Sequence, residues 1–345
     1  ESQPEFLLPF SKTIPQLPSD STVEVDTSDQ LILSPYFLCN VTEPLKATVK
    51  VTVTGEKKYC SKESQVTLLP YDVWRPEGEF VDLLAGFVKP RHPEITRLRN
   101  SVTEILSQWK LSTEISGYVQ TDKTAVRQLS AAIYTALQSQ QFERLEETKD
   151  IRIRNYADIF RSGKATMTEL AVLYSACAES CGLHPVILFG NNQTHAGVWL
   201  YDNCMIDSYV NDKELLRKLI AEGVNDLSVF DMSSIYRSSI LNYTGAEKSY
   251  ASKLAKEDTF SYCVDIKRCR AGGVRPLPER IIGEDGAQLL SESDTDIQAA
   301  PKDLRTGKVY DLKNTVSRQK QWERRLLDLS LRNMLLHFRP SVSSL

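Results

Sequence analysis

One stretch narrows the choice of folds more than any other. Thr168 to Cys181 has the length of a helix, and three short runs rich in apolar residues follow it: Pro185–Phe189, Ala196–Leu200 and Cys204–Tyr209. Strands of five or six residues joined by segments as short as Tyr201-Asp202-Asn203 suit antiparallel neighbours, because a parallel crossover needs a dozen residues or more. The centre of this chain therefore reads as a helix laid against a small sheet, which is α+β architecture.

The flanks read differently. Residues 1–72 contain Leu31-Ile-Leu, the alternating run Ala47-Thr-Val-Lys-Val-Thr-Val-Thr ending at Gly55, and Val66-Thr-Leu-Leu. Short strands with prolines at 15, 18, 35 and 44 suggest a small β-sandwich. Residues 73–145 change to helical spacing and read as a helical connector. Phe80–Val88 ends before Pro90. A helix with Pro93 just inside its start carries Ile95, Leu98, Val102, Ile105 and Leu106 on one face. A further helix, Lys123–Gln138, carries Val126, Leu129, Ile133 and Leu137 at the same period. The central unit spans 146–282, with residues 212–256 mostly helical and Phe260–Ile266 a strand. An acidic Ser/Gly/Pro stretch, 283–314, reads as a linker. Residues 315–345 then begin a helical domain, with Trp322, Leu326 and Leu329 on one side of a helix over Val316–Phe338. The expectation is an α+β multidomain chain.

Bulk properties exclude several classes. Of 345 residues, 41% are hydrophobic and 25% charged, which is globular composition, and the net charge of −3 argues against a wholly basic nucleic-acid-binding surface. Seven cysteines are scattered without CxxC pairs, so reduced cytoplasmic thiols are expected rather than a metal site or a disulfide framework. No apolar run reaches membrane-span length. The chain begins at Glu1 and its last helical pattern stops soon after it starts, as in a piece of a longer protein.

Chemistry centres on two residues. His195 stands at the mouth of Ala196-Gly-Val-Trp-Leu, and Asp207 follows in Cys-Met-Ile-Asp-Ser. Imidazole and carboxylate on successive strands are the base and orienter of a hydrolase whose thiol opens the preceding helix, where the helix dipole lowers its pKa. Here the helix opens Gly163-Lys-Ala-Thr-Met-Thr-Glu-Leu-Ala, with Met167 in the nucleophile's place. A thioether has no proton to lose, and the hydroxyls of Thr166 and Thr168 need an activating base. Cys177 and Cys181 lie roughly 15 to 21 Å further along the helix. Met167 is expected to plug the former nucleophile pocket, leaving His195 and Asp207 as a degenerate catalytic pair.

These motifs carry a resemblance. The segment 163–210 looks like the transglutaminase-like, papain-like domain in the N-terminal region of very large bacterial superfamily-one helicase-like proteins. In that family the helix opens Gly-Thr-Cys-Leu-Asp-Leu-Ala, and Gly-His-Ala leads into Gly-Val-Trp-Leu. This chain has Ala165-Thr-Met-Thr-Glu-Leu-Ala and Thr194-His-Ala-Gly-Val-Trp-Leu. Leu69-Pro-Tyr-Asp-Val-Trp resembles the family's exit from its β-sandwich. Cys263-Val-Asp-Ile-Lys-Arg-Cys-Arg-Ala-Gly-Gly-Val-Arg-Pro-Leu-Pro resembles the segment after its core, and Trp322-Glu-Arg-Arg-Leu-Leu-Asp-Leu-Ser-Leu-Arg-Asn-Met-Leu-Leu the start of its helical domain of unknown function.

The resemblance implies a non-motor regulatory or partner-recognition region of a large nucleic-acid-processing protein with a role in defence against phage. Its partners would be the other domains of the full-length chain and a peptide or protein ligand, with no cofactor in this segment. These residues contain no Gly-x-x-x-x-Gly-Lys-Ser/Thr loop. Two other readings stay open. A cysteine in place of Met167 would make a cysteine hydrolase or peptidase. Nucleic acid could be held by Lys267, Arg268, Arg270, Arg275 and Arg280, or by the C-terminal Arg324, Arg325 and Arg332, although the first group reads more simply as a solvated face.

Overall fold

A computed structural model describes residues 1–14, 22–25, 32–55, 59–76, 78–115, 117–118, 122–148, 150–191, 193–239, 241–256, 260–283 and 286–290. The chain divides into two units, residues 1–292 and 293–345, and every described residue lies in the first. The expected helix over 316–338, with Arg324, Arg325 and Arg332, lies outside the described residues, as does most of the expected linker.

The described part is a mixture of helices and antiparallel sheets. Near its start, strands β1 (Leu45–Thr54) and β2 (Tyr59–Leu68), ten residues each, form a hairpin, and Ser2–Gln3 adds a short third strand beside β1. The alternation of the valine run places Ala47 in the core, while Val51 and Val53 near the tip stay exposed. Among the described residues of 1–72 this is one sheet, joined by the short helix Pro35–Cys39, which the sequence did not announce.

Three longer helices form within a residue or two of the expected spans. Helix α1 (Pro93–Gln108) starts with proline at its first position, and the His92 ring nitrogen accepts from the Glu94 N–H at 3.1 Å. Helix α2 (Lys123–Gln138) is capped by Asp122, which accepts from the Thr124 N–H. Helix α3 (Met167–Ser180) is buried all round from Met167 to Ala178. A helix of that kind belongs inside a core, not on it. Its one large hydroxyl, on Tyr174, shares a 2.5 Å hydrogen bond with Ser130 of α2. Helices α1 and α2, expected as a connector, thus pack into one core with α3.

Beside α3 stands a five-stranded antiparallel sheet. Its strands are β3 (Pro185–Gly190), β4 (Gln193–Trp199), β5 (Tyr209–Val210), β6 (Leu227–Phe230) and β7 (Tyr262–Asp265), in the order β5-β7-β3-β4-β6. Two expectations need correction. Residues 204–208 form no strand: the Met205 N–H is taken by the Asp265 carboxylate at 2.8 Å, and the chain bends before β5. The neighbour of β4 is instead β6, which lies inside a segment expected to be mostly helical. That segment does supply α4 (Lys213–Ile220) and α5 (Tyr243–Leu254).

The two faces of the sheet serve two cores. Ile187, Phe189, Ala196, Val198, Phe230 and Val264 join the core containing α1, α2 and α3. Val186, Leu188, Trp199, Leu227, Val229 and Cys263 face the other way, with Leu216 of α4 and Tyr250 and Leu254 of α5. Gly197 of β4 lies against β6 with no room for a side chain: a Cβ there would fall 2.5 Å from the Ser228 carbonyl oxygen. Beyond β7, the expected linker begins with a hairpin, Glu279–Gly283 paired with Gly286–Leu290. No disulfide joins the seven cysteines, and no helix among the described residues is long and apolar enough to cross a membrane.

Candidate functional site at the start of helix α3

The turn before α3 is fixed by local chemistry. Gly163, at φ of 63°, closes the short helix Tyr156–Ser162 in the left-handed region that suits glycine. Three residues later Thr166 caps α3 in a reciprocal box. The Thr166 hydroxyl accepts from the Glu169 N–H at 3.2 Å, and the Glu169 carboxylate accepts from the Thr166 N–H at 3.0 Å. Glu169 is fully buried. Arg154 satisfies it with two parallel bonds of 2.7 Å, and the Arg154 backbone N–H adds a third at 3.1 Å. The same bidentate bond raises the Arg154 pKa above its ordinary value against the opposing effect of burial. This anchoring holds Met167 at the first helical position.

Met167 is buried and borders a cleft of about 550 Å³, together with Glu147, Thr148, Phe189, Gln193, Thr194 and Tyr262. The electropositive helix start already has an anion: Glu147 accepts from the Thr168 N–H at 2.8 Å. From the sheet, the Thr194 hydroxyl meets the Thr168 hydroxyl at 2.8 Å. Thr194 therefore faces α3, as do Ala196 and Val198, two and four residues on.

His195 faces the opposite way. The register of β3 against β4 runs without a bulge, with Leu188 opposite His195 and Ile187 opposite Ala196. Side chains alternate, so the imidazole joins the α4 and α5 side. Its ring lies 4.9 Å from Tyr250 of α5, and its Nδ1 stands 3.5 Å from an Asp231 carboxylate oxygen. That pair would be ionic only with a protonated ring. Burial pushes the His195 pKa down to about 4, outweighing the pull of Asp231, so at neutral pH the ring is uncharged and Nδ1 has no hydrogen-bond partner.

Asp231, not Asp207, is the carboxylate beside His195. It follows β6 and caps the turn Met232–Ile235, accepting from the Ser233 N–H and hydroxyl, from the Ser249 hydroxyl at 2.9 Å, and from Lys253 at 2.6 Å. Burial would raise its pKa, but the Lys253 bond and the neighbouring charges hold it below the ordinary carboxylate range. Asp207 lies exposed on the bend before β5. The buried acid on that side of the sheet is Asp265, which accepts from the Trp199 indole N–H at 2.9 Å and from the Met205 and Arg268 backbone N–H groups. Two of the sequence motifs, Ala196-Gly-Val-Trp-Leu and Cys263-Val-Asp-Ile, thus meet through one carboxylate.

The sequence reading missed Asp231, Thr194, Glu147 and Asp265. Asp231-Met-Ser-Ser has the form of a helix cap, a signal that could have marked the end of a strand there. Of the basic run, Lys267 pairs with Asp202 at 2.5 Å, Arg270 with Glu179 at 2.9 Å, and Arg280 lies over the Tyr71 ring, while Arg268 and Arg275 are exposed. Two of these five cations are thus already held by carboxylates. Chemically, the cleft at Met167 offers a carboxylate, hydroxyls and an aromatic wall, with neither thiol nor imidazole lining it. Burial raises the pKa of Tyr262 in its wall, which keeps that phenol protonated. Comparison of the chain with protein-family models, curated proteins and solved structures returned no match.

Proposed function

We propose that the described region is a recognition module with a transglutaminase-like core that performs no thiol chemistry. It would serve as the non-motor, regulatory part of a large cytoplasmic nucleic-acid-processing protein of the superfamily-one helicase type, acting in defence against phage. The motifs in 163–210, 263–278 and 322–336 supply the family half of this reading. Helix α3 followed by β3 and β4 is the helix-strand-strand order such a core requires, and the sheet near residue 1 would be one layer of the N-terminal sandwich.

One observation carries the non-catalytic half: β4 presents Thr194, not His195, to the start of α3, where Met167 stands. A nucleophile and its base must come within about 2.6–3.2 Å of each other, or nearly so in an unliganded enzyme. Here the sheet itself lies between helix start and imidazole. The cleft beside Met167 is then free to hold a peptide or a chain terminus without cutting it.

Reaction with a thiol-directed electrophile, mapped by mass spectrometry, tests this. Adducts are expected on exposed Cys60 and half-exposed Cys204, at rates unchanged in a His195→Ala variant. A Met167→Cys variant is expected to gain no His195-dependent labelling. Fast, single-site labelling that disappears with His195→Ala would establish a cysteine hydrolase instead.

A further inference from the structure

A second cavity shares no lining residue with the cleft at Met167. Trp74 and Phe87 are buried in its floor, whereas Leu33, Phe80, Leu83 and Leu277 line it while remaining 40–60% exposed. Large apolar side chains gathered in one concavity, rather than scattered singly, mark a surface that waits for a ligand. The cleft measures about 1160 Å³. Its walls are tied down: the Leu277 N–H donates to the Gly86 carbonyl at 2.7 Å. The Trp74 indole N–H donates to the Phe80 carbonyl and the Tyr156 hydroxyl to the Phe87 carbonyl, so these polar groups are already engaged.

Part of the positive charge at the same cleft has no ion pair among the described residues. Lys89 pairs with Glu279, and Arg154 with Glu169. Arg280 has no such partner among the described residues: its guanidinium lies 4.3 Å over the Tyr71 ring, and its Nε is buried without a hydrogen bond. Arg275, exposed on the same lining, has no ion pair among the described residues. Arg280 as a residue is half-buried, and a guanidinium at the edge of an apolar cleft with no ion pair leaves room for an anionic partner. A carboxylate or phosphate is such a partner, and planar bidentate acceptance suits arginine better than lysine.

We propose that this cleft binds a single-chain amphipathic anion, its hydrocarbon lying along Trp74, Phe80, Leu83 and Leu277 and its carboxylate or phosphate head at Arg280 and Arg275. An extended peptide fits less well, because its backbone would need hydrogen-bond partners at each residue where the wall's indole and phenol groups are committed.

Calorimetric titration of the full chain with decanoate, dodecanoate and tetradecanoate, all below their micellar concentrations, tests the chain half. Affinity should rise roughly fourfold per methylene. Dodecyl phosphate and neutral dodecyl maltoside test the head: both anions should bind at least tenfold tighter than the maltoside, and Arg280→Gln should erase that margin while leaving maltoside binding unchanged. Phe80→Asp and Leu277→Asp should abolish binding of all of them, with circular dichroism and Tm unchanged because both side chains are exposed. Equal or better binding of the maltoside, no chain-length dependence, full affinity in both aspartate variants, or binding of an apolar peptide with no binding of the amphiphiles would each overturn the proposal. None of these results bears on the thiol question, which concerns other residues.

Discussion

The two faces of strand β4 bury polar side chains on opposite terms. Where β4 meets the start of α3, the contact is between neutral hydroxyls, Thr194 against Thr168, beside an apolar methionine. On the α5 face a neutral imidazole lies against an ionised carboxylate that is fully occupied by Ser233, Ser249 and Lys253. Adjacent residues of one strand supply both sides. A motif such as Thr194-His-Ala-Gly-Val-Trp-Leu therefore states which groups are present, while the pleat decides which of them can meet a given helix. The helix start has cap, carboxylate and cleft, and the imidazole that would complete a hydrolase has its back to them.

Substitutions can break that contrast. The largest effect is expected where the faces cannot yield at all: Gly197→Ala puts a methyl group 2.5 Å from the Ser228 oxygen and 2.8 Å from a Val229 methyl. It should cost about 4 kcal/mol in denaturant unfolding, or prevent folding. Next is the pH response of the α5 face. The His195 pKa is depressed on folding from 6.5 to about 4, so the folded state disfavours the proton that the unfolded state accepts. The stability that neutral His195 contributes is complete above pH 6.5 and is lost as pH falls towards 4, by about 3 kcal/mol. A His195→Gln variant should lack this component, seen as a shallower decline in unfolding free energy between pH 6.5 and 4.

Asp231→Ala should cost about 2 kcal/mol, because three partners lose their acceptor although Lys253 can turn to water. Thr194→Val probes the α3 face. It keeps the shape and removes one hydroxyl partner, for a loss of about 1 kcal/mol at any pH between 5 and 8. Smallest is Asp207→Ala, expected within about 0.5 kcal/mol because the side chain is exposed. Equal costs for Asp207→Ala and Asp231→Ala would erase the distinction between the two carboxylates.

Much of the scaffold was legible in the order of residues. Helices α1, α2 and α3 fall within a residue or two of the spans that apolar spacing, Pro93 and the residues after Gly163 indicate, since a helix with a buried face repeats its apolar side chains every 3.6 residues and a strand does not. Strands β3 and β4 were legible for a similar reason, as apolar runs of strand length between turns. Strand β6 was not. Four residues buried on both faces, Leu227-Ser-Val-Phe, show no period and are too short to outvote the helical segments on either side. The run at Cys204-Met-Ile misled in the opposite sense, because a buried carboxylate from Asp265 claims the backbone that a neighbouring strand would have used.

The site divides along the same line. Residue chemistry alone settled that Met167, at the head of the helix, has no proton to give up and no nucleophile to become, since that follows from its covalent structure. Which way His195 points, and that Asp231 rather than Asp207 lies beside it, were decided by strand order and register. The pairing of His195 with Asp231 joins residues 36 positions apart, and a two-residue alternation read along one strand carries no label saying which of its faces is which.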